Sequence, residues 1–248
     1  GKLLLIASWT PSENPNAKTF VLIHGGGGVG GMLLVMGQEL RASLNANILI
    51  LDSFWSRGRN GNGGDSIQQF GPTLSSNDRM FDLAAAGRWL NQKGINPYTT
   101  YAIGESQGGW GVLRAFTNEP SIVSLIKPYY AGGIALYPVC EEPGTRHTEA
   151  KNFTFHSLGP YHSRVLLITA GRDTLTPIAN CSAKTLKSTT RWLHWDDVTH
   201  AFNIHTHGMF QPSVDGYCLK MTNGFGSHEF CYNKKRTMEM IFEISTFA

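Results

Sequence analysis

Short apolar runs alternate with amphipathic stretches along the chain, and this order predicts an α/β fold. The runs have the length of strands and are rich in aliphatic and β-branched side chains. They lie at Leu3–Ala7, Thr19–His24, Asn47–Asp52, Thr99–Ile103, Gly133–Pro138, Arg164–Thr169 and Arg191–Trp195. Continuous apolar strands separated by helices are typical of a mostly parallel central sheet with helices on both faces.

Three segments are expected to form helices between or after these strands. Arg79–Gln92 carries apolar residues at helical spacing, with Asn77 or Asp78 expected as its N-cap. Trp110–Phe116 and Arg236–Phe247 are the other two. The last of these is expected to close the chain.

The length of 248 residues, without internal repeats or a linker, predicts a single domain over residues 1–248. Three irregular segments interrupt the pattern, at about 53–77, 141–162 and 205–233. In sheets of this kind the loops at the carboxyl ends of the strands form the ligand crevice. We therefore expect these segments to be active-site loops.

The composition is that of a folded globular protein. Hydrophobic residues make up 41% and charged residues 16%, and the net charge is +3. A small charge without a basic stripe argues against nucleic-acid binding. No apolar stretch approaches the roughly 20 residues of a membrane span, and Leu3–Ala7 is too short for the core of a signal peptide.

The strand Thr99–Ile103 leads into the sequence GESQG at 104–108, which has the G-x-S-x-G pattern of a nucleophile elbow. In this motif a sharp turn between a strand and a helix projects the serine hydroxyl above the sheet. The two glycines keep Cβ atoms out of the crowded turn. An ordinary glycine-rich turn is the alternative, because glycine is abundant in this chain. Ser106 is the candidate nucleophile.

A serine nucleophile needs a base to take its proton and a carboxylate to orient that base. In hydrolase sheets the acid and then the histidine follow the serine, each on a loop after a strand. Asp173 follows the strand Arg164–Thr169, and His200 follows the strand Arg191–Trp195. The three side chains are therefore predicted to meet at one edge of the sheet.

Other assignments of the acid and the base remain open from the sequence. Asp173 is also suited to capping a turn or a helix. The rival residues are Asp196 and Asp197 for the acid, and His205 and His207 for the base. The rival acids lie beside His200 rather than on the preceding loop. His194 lies within a strand and is expected to be a packed or rim histidine.

Acyl transfer also needs N–H donors for the oxyanion of the transition state. The glycine cluster after the strand Thr19–His24 supplies Gly25 and Gly26, and Gln107, directly after the nucleophile, supplies the second donor. The same cluster loosely matches a dinucleotide-binding turn, but no acidic residue stands about 20 residues further on. Only Asp52, at the end of the next strand, supports that alternative.

The substrate-binding candidates are Trp55, Arg57, Trp110 and Tyr161. The arginine would hold an acidic group or be solvated, and the aromatic residues would line a pocket or pack in the core. His205 and His207 form an H-x-H pair that is compatible with metal binding, together with His200. Without nearby cysteine or carboxylate ligands this pattern is weak, and we expect neither a metal nor a cofactor.

Four cysteines allow three pairings, and four free thiols are the alternative. Cys140 and Cys181 are both expected just beyond the ends of neighbouring strands, whereas Cys218 and Cys231 bracket a polar loop. Position therefore favours the pairs Cys140–Cys181 and Cys218–Cys231. Two disulfides indicate an oxidising compartment, so we expect a secreted or periplasmic protein.

Four motifs together resemble the dienelactone hydrolase family of α/β-hydrolases. They are HGGG at 24–27, GESQGG at 104–109, GRDTLTP at 171–177 and THAF at 199–202. The resemblance spans about residues 18–205 and implies the α/β-hydrolase fold with a triad of Ser106, Asp173 and His200. Cys140 and Cys181 lie in elements that resemble exported members, which supports their pairing.

The nucleophile departs from the family pattern, because the founding members use a cysteine where this chain has Ser106. That difference favours a general hydrolase of carboxylic esters over one for dienelactone. A peptidase or acyltransferase with the same triad is the alternative enzyme, and a non-catalytic binding protein on a hydrolase scaffold is the alternative of another class. We expect a small-molecule ester as substrate and a monomer or homodimer.

Overall fold

A seven-stranded sheet forms the centre of the protein in a computed structural model that describes residues 4–58, 74–140, 158–181, 183–204, 214–223 and 226–248. Its strands are β1 (Ile6–Thr10), β2 (Thr19–Ile23), β3 (Asn47–Asp52), β4 (Thr100–Glu105), β5 (Gly132–Leu136), β6 (Arg164–Ala170) and β7 (Arg191–Trp195). Their order is β1-β3-β2-β4-β5-β6-β7. The pairs are parallel except for β1, which is antiparallel to β3. The predicted mostly parallel sheet is confirmed.

The described part of the chain also contains six α-helices, three short 3₁₀ turns and a separate hairpin. The helices are α1 (Gly31–Leu44), α2 (Ser76–Gln92), α3 (Gln107–Ala115), α4 (Pro120–Ile126), α5 (Ala183–Ser188) and α6 (Lys234–Phe247). The hairpin pairs β8 (Cys218–Asn223) with β9 (Gly226–Cys231). Among these described helices, none is long and apolar enough to cross a membrane.

The five central strands, β2 to β6, are buried on both faces, which explains why they are continuous apolar runs, whereas the outer strands β1 and β7 are largely exposed. Alternate residues of β2 belong to two different core clusters, Phe20 and Leu22 to one and Val21 and Ile23 to the other. Helices α1 and α6 contribute to the first cluster, and α2, α3 and α4 to the second. The predicted helices on both faces are therefore confirmed.

Several element boundaries differ from the sequence-based expectations. The cap of α2 is Ser75, whose side chain accepts from the Asp78 N–H while Asp78 reaches back to the Ser75 N–H. The predicted cap at Asn77 or Asp78 is wrong because this reciprocal capping box begins the helix earlier. The first strand is Ile6–Thr10 rather than Leu3–Ala7, because its register is set by pairing with β3.

The segment 205–233, expected to be irregular, contains the β8–β9 hairpin. The segment 53–77 includes a 3₁₀ turn at Trp55–Arg57 and the start of α2. Residues 59–73, 141–157 and 205–213 lie outside the described residues, and His205 and His207 are among them.

The strand order reverses between β2 and β4. The strand after β2 in the chain, β3, lies on one side of β2 in the sheet, and the next strand, β4, lies on its other side. Such a switch point leaves a crevice at the carboxyl ends of the two strands. The glycine cluster follows β2, and Ser106 follows β4. The sheet therefore brings these two predicted site segments to one crevice.

Candidate active site

Ser106 lies in a strained turn between β4 and α3. Its φ of 52° and ψ of −114° are a backbone conformation that L-residues rarely adopt. A Cβ on Gly104 would lie 2.2 Å from the Gly108 carbonyl oxygen, and a Cβ on Gly108 would lie 2.3 Å from the Ile23 carbonyl oxygen. Both glycines are therefore required for this turn to close against β2.

Asp173 and His200 form a buried pair. Asp173 Oδ2 lies 2.7 Å from His200 Nδ1, and the two side chains are only 1% and 5% exposed. Asp173 follows β6 and His200 follows β7, as expected from the sequence. A carboxylate in this position holds the imidazole with Nδ1 protonated, which leaves Nε2 as a proton acceptor.

The loop after β6 keeps Asp173 ionised. Its Oδ1 accepts from the N–H groups of Leu175 and Thr176 at 2.9 and 2.7 Å, and the Thr176 hydroxyl lies 2.7 Å from Oδ2. Burial disfavours the charge, but the charge and hydrogen bond of His200 and the Thr176 donors outweigh it. The pKa of Asp173 is therefore below its ordinary value.

Tyr137 connects the serine turn with the histidine loop. The Ser106 N–H donates to the Leu136 carbonyl at 2.9 Å, and Tyr137, the next residue, packs its ring edge-on at 4.8 Å from the His200 ring. The Ser106 hydroxyl makes no hydrogen bond to any residue in the described ranges. The structure thus joins Asp173 directly to His200 and brings Ser106 to the neighbouring strand end.

A second carboxyl group lies directly before Ser106. Glu105 is 1% exposed, and its Oε1 accepts from Asn203 Nδ2 at 3.2 Å. The Tyr137 hydroxyl donates to Asn203 Oδ1 at 2.8 Å. Burial raises the pKa of Glu105 to about 7, although the hydrogen bond from Asn203 and the charge of His200 act in the opposite direction. Glu105 is therefore a group that titrates near neutral pH next to the site.

The glycine cluster lies against the elbow. A Cβ on Gly25 would be 3.1 Å from Ser106 Cβ, and a Cβ on Gly26 would be 3.1 Å from Gln107 Nε2. Gln107 is the first residue of α3, so its N–H has no acceptor within the helix. The three predicted oxyanion-hole residues are therefore brought together around Ser106.

Two buried side chains orient the glycine cluster. His24 Nε2 accepts from the Ser53 N–H at 3.1 Å, so the Nδ1 proton points to the Gly25 carbonyl, 2.6 Å away. Arg79 Nη2 donates to the same carbonyl at 3.4 Å. N–H and C=O groups of a trans peptide point in opposite directions, so the Gly26 N–H points away from His24 and Arg79.

Arg79 is fully buried behind this turn. It is 0% exposed, its Nη1 lies 3.3 Å from both ring nitrogens of His24, and its Nε has no partner in the described part of the chain. Burial lowers the pKa of Arg79 to about 9, and the charge of Asp82 raises it. Burial, and then the charge of Arg79, lower the pKa of His24 well below its ordinary value. The pair places one positive charge behind the glycines.

The substrate-binding candidates have different environments. Trp55 is 58% exposed, whereas Trp110 and Tyr161 pack with the core cluster around α2 and α3. Arg57 Nη1 and Nη2 donate to the Asp82 carboxylate at 3.0 and 2.9 Å. The guanidinium of Arg57 is therefore engaged by an internal ion pair.

The rival acids and the strand histidine form contacts of their own. His194 Nε2 lies 3.2 Å from Asp196, and its Nδ1 lies 2.9 Å from the Thr169 hydroxyl. Asp197 accepts from Arg236 Nε at 3.0 Å. Neither aspartate has a hydrogen bond to His200 among those of the described residues.

Both expected disulfides are present. Cys140 is bonded to Cys181, and Cys218 is bonded to Cys231. Cys218, Glu229 and Cys231 also bring three potential metal-ligand atoms together. Because both sulfurs are in the disulfide, this group lacks the thiolates that a metal would bind.

The sequence analysis did not identify several residues that contact the glycine cluster, the serine turn or His200. Arg79 gave no signal, because a charged residue in an amphipathic helix is usually solvated. Glu105 is a variable position of the elbow motif and Asn203 belongs to no motif, whereas Tyr137 lies in the element 137–140 that resembles exported family members but gives no sign of a role beside His200. His24 had a signal, as the first residue of the HGGG motif at 24–27.

The sheet, the elbow at Ser106 and the loops after β6 and β7 define the α/β-hydrolase fold. Solved structures agree with this class. A Klebsiella pneumoniae protein that bears the provisional name dienelactone hydrolase matches with a TM-score of 0.60 at 12% identity, over 80% of this chain and 88% of its own. The carboxylesterase Cest-2923 of Lactobacillus plantarum matches with a TM-score of 0.59 at 16% identity, over 85% and 84%.

An acylaminoacyl peptidase of Pyrococcus horikoshii also matches, with a TM-score of 0.57 at 16% identity, over 81% of this chain and 36% of its own. The sequence matches no family model and no curated protein. At these identities the similarity establishes the fold.

Proposed function

We propose that the protein is a serine hydrolase that cleaves carboxylic esters through Ser106, His200 and Asp173 and an acyl-enzyme intermediate. The single observation that carries the proposal is the buried 2.7 Å pair of Asp173 and His200, next to a strained serine turn. This is the order of residues and the type of backbone that nucleophilic serine hydrolysis uses. The resemblance to the dienelactone hydrolase family gives the same assignment.

In the proposed reaction, Ser106 Oγ attacks the ester carbonyl while His200 Nε2 takes its proton. Asp173 holds the imidazole in the required tautomer and stabilises its charged form. His200 returns the proton to the leaving alcohol as the carbon–oxygen bond breaks. Water then attacks the acyl-enzyme by the same route, which releases the acid and restores the Ser106 hydroxyl.

The oxyanion is proposed to bind the backbone N–H groups of Gln107 and of Gly25 or Gly26. The direction of the Gly26 N–H, away from Arg79, supports this residue in particular. Removal of one such donor in other enzymes costs about 3 kcal/mol. The positive charge of Arg79 behind the turn favours negative charge at the oxyanion.

Esters are preferred over amides as substrate on chemical grounds, because an alcohol leaves more readily than an amine. A peptidase or acyltransferase uses the same three residues, so product analysis decides between them. The two disulfides support a secreted or periplasmic location, since disulfides persist in oxidising compartments.

The test is hydrolysis of p-nitrophenyl esters of increasing chain length by the wild type and by Ser106→Ala. The variant should lose turnover and labelling by a fluorophosphonate while keeping the wild-type unfolding midpoint. Ser124→Ala, an exposed serine on α4, is the matched control and should behave as the wild type. Undiminished ester turnover by Ser106→Ala would refute the proposal.

A further inference from the structure

The β8–β9 hairpin lies against both loops of the Asp173–His200 pair. Its strands pair antiparallel with Cys218 opposite Cys231, and the disulfide joins these two residues. Nothing in the reaction described above uses this hairpin. Its contacts nevertheless concentrate at the residues that neighbour the acid and the base.

Two backbone donors at the end of the hairpin bracket the base. The Cys231 N–H donates to the Thr199 hydroxyl oxygen at 2.7 Å, and the Asn233 N–H donates to the Phe202 carbonyl at 2.9 Å. The Thr199 hydroxyl in turn lies 3.3 Å from the His200 carbonyl oxygen, to which it donates. The backbone on either side of His200 is therefore tied to the chain that leaves β9.

The same loop has a strained backbone. Ala201, directly after His200, has a φ of 53°, in the left-handed region that non-glycine residues seldom occupy. Such a conformation persists only when surrounding contacts over-determine it. The donors from Cys231 and Asn233 act on the two sides of Ala201, so they are contacts that hold this conformation.

The hairpin also contacts the imidazole and the acid loop. The Phe230 ring lies edge-on at 5.7 Å from the His200 ring. His228 Nδ1 lies 3.0 Å from the Thr174 hydroxyl, and Glu229 pairs with Arg172 at 3.4 Å. Thr174 and Arg172 flank Asp173 in the chain. The hairpin thus reaches both neighbours of the acid as well as the loop of the base.

We propose that the disulfide-closed hairpin fixes the positions of the Asp173 and His200 loops relative to each other, with Thr199 and Phe230 as positioning residues. The inference rests on the proposed function, because it assigns a role relative to that triad. The hairpin acts on the orientation of the base and does not itself take part in proton or acyl transfer. It should therefore affect kcat rather than KM.

The first test compares Thr199→Val, Thr199→Ser and the double variant Cys218→Ser, Cys231→Ser with the wild type. Valine keeps the size of threonine and removes the hydroxyl, whereas serine retains it. We expect Thr199→Val and the disulfide variant to lower kcat about ten- to a hundredfold with KM nearly unchanged, as a displacement of about 1 Å does. Thr199→Ser should retain the wild-type kcat.

Three further measurements separate positioning from folding. Titration with a fluorophosphonate gives kcat per active site, and urea unfolding shows whether each variant is folded at the assay temperature. Thr222→Ala, an exposed residue of the same hairpin, is the matched control and should keep the wild-type kcat. If the disulfide variant does not fold, the comparison of Thr199→Val with Thr199→Ser decides.

A folded Thr199→Val with the wild-type kcat would overturn the inference, even if its unfolding midpoint fell. An equal loss of kcat in Thr222→Ala would overturn it as well. Retained turnover in Ser106→Ala is a different result, since it refutes the proposed function itself.

Discussion

Asp173 Oδ2 lies 2.7 Å from His200 Nδ1 in a pair that is almost completely shielded from solvent. A hydrogen bond with an ionised acceptor in such a place is stronger than one at the surface. The pair also fixes which imidazole nitrogen carries the proton. Its two members come from loops after neighbouring strands, so the sheet sets their distance.

Asp173→Asn should leave the fold intact and lower kcat by roughly 10³- to 10⁴-fold, because the amide favours the wrong imidazole tautomer. Stopped-flow or steady-state kinetics of ester hydrolysis measure the effect on kcat. Asp196→Asn is the control, because Asp196 is the exposed partner of His194, and it should leave kcat unchanged. Comparable losses in the two variants would argue against Asp173 as the orienting acid.

Gly104→Ala should inactivate the protein and destabilise it by about 3 kcal/mol, because the new Cβ would lie 2.2 Å from the Gly108 carbonyl oxygen. Gly27→Ala is the matched control, since no atom of the residues that the structure describes lies within 4 Å of its added Cβ. Urea unfolding and ester turnover report the two effects. Equal behaviour of the two variants would contradict the close approach at the elbow.

Glu105→Gln should change how stability depends on pH. The folded-state pKa of about 7 is above the ordinary value of 4.5, so the carboxyl stabilises the fold fully below pH 4.5 and loses this contribution as the pH rises to 7. The difference corresponds to roughly 3 kcal/mol. The glutamine side chain does not ionise, so the variant does not lose stability from this position as the pH rises.

Urea unfolding of both proteins between pH 4.5 and 8 measures the effect of Glu105→Gln. The variant should gain stability relative to the wild type as the pH rises. Titrating groups that do not interact with Glu105, such as His24, are common to both proteins and cancel in the difference. A pH-independent difference would mean that Glu105 ionises normally in the fold.

Arg79→Met should lower kcat about tenfold or more while leaving the free energy of unfolding within about 1 kcal/mol of the wild type. Replacement of a buried charge by an apolar side chain of similar size is often neutral for stability, and Asp82 keeps its pairing with Arg57. The Gly25 carbonyl would lose a donor. Arg88→Met, an exposed arginine on the same helix, is the control. A large loss of stability without a loss of kcat would assign Arg79 to folding alone.

The sequence predicts the parts of this molecule that depend on local pattern and chain order. The strands are apolar runs, and the acid and base candidates follow from their place after β6 and β7. Arg79 was not predictable, because its burial depends on Gly111 of another helix, where an added Cβ would lie 2.3 Å from Arg79 Cβ. The β8–β9 hairpin was missed because its two consecutive strands are short and mostly polar, without the apolar runs that mark the strands of the central sheet.

The conformation of Ser106 belongs to the backbone of the elbow and not to its side chain. Glycines on both sides and the Leu136 carbonyl impose it, so a different side-chain atom on the same Cβ would project in the same direction. Exchange of the oxygen for sulfur by Ser106→Cys would therefore change the chemistry of the side chain while the backbone of the turn stays the same.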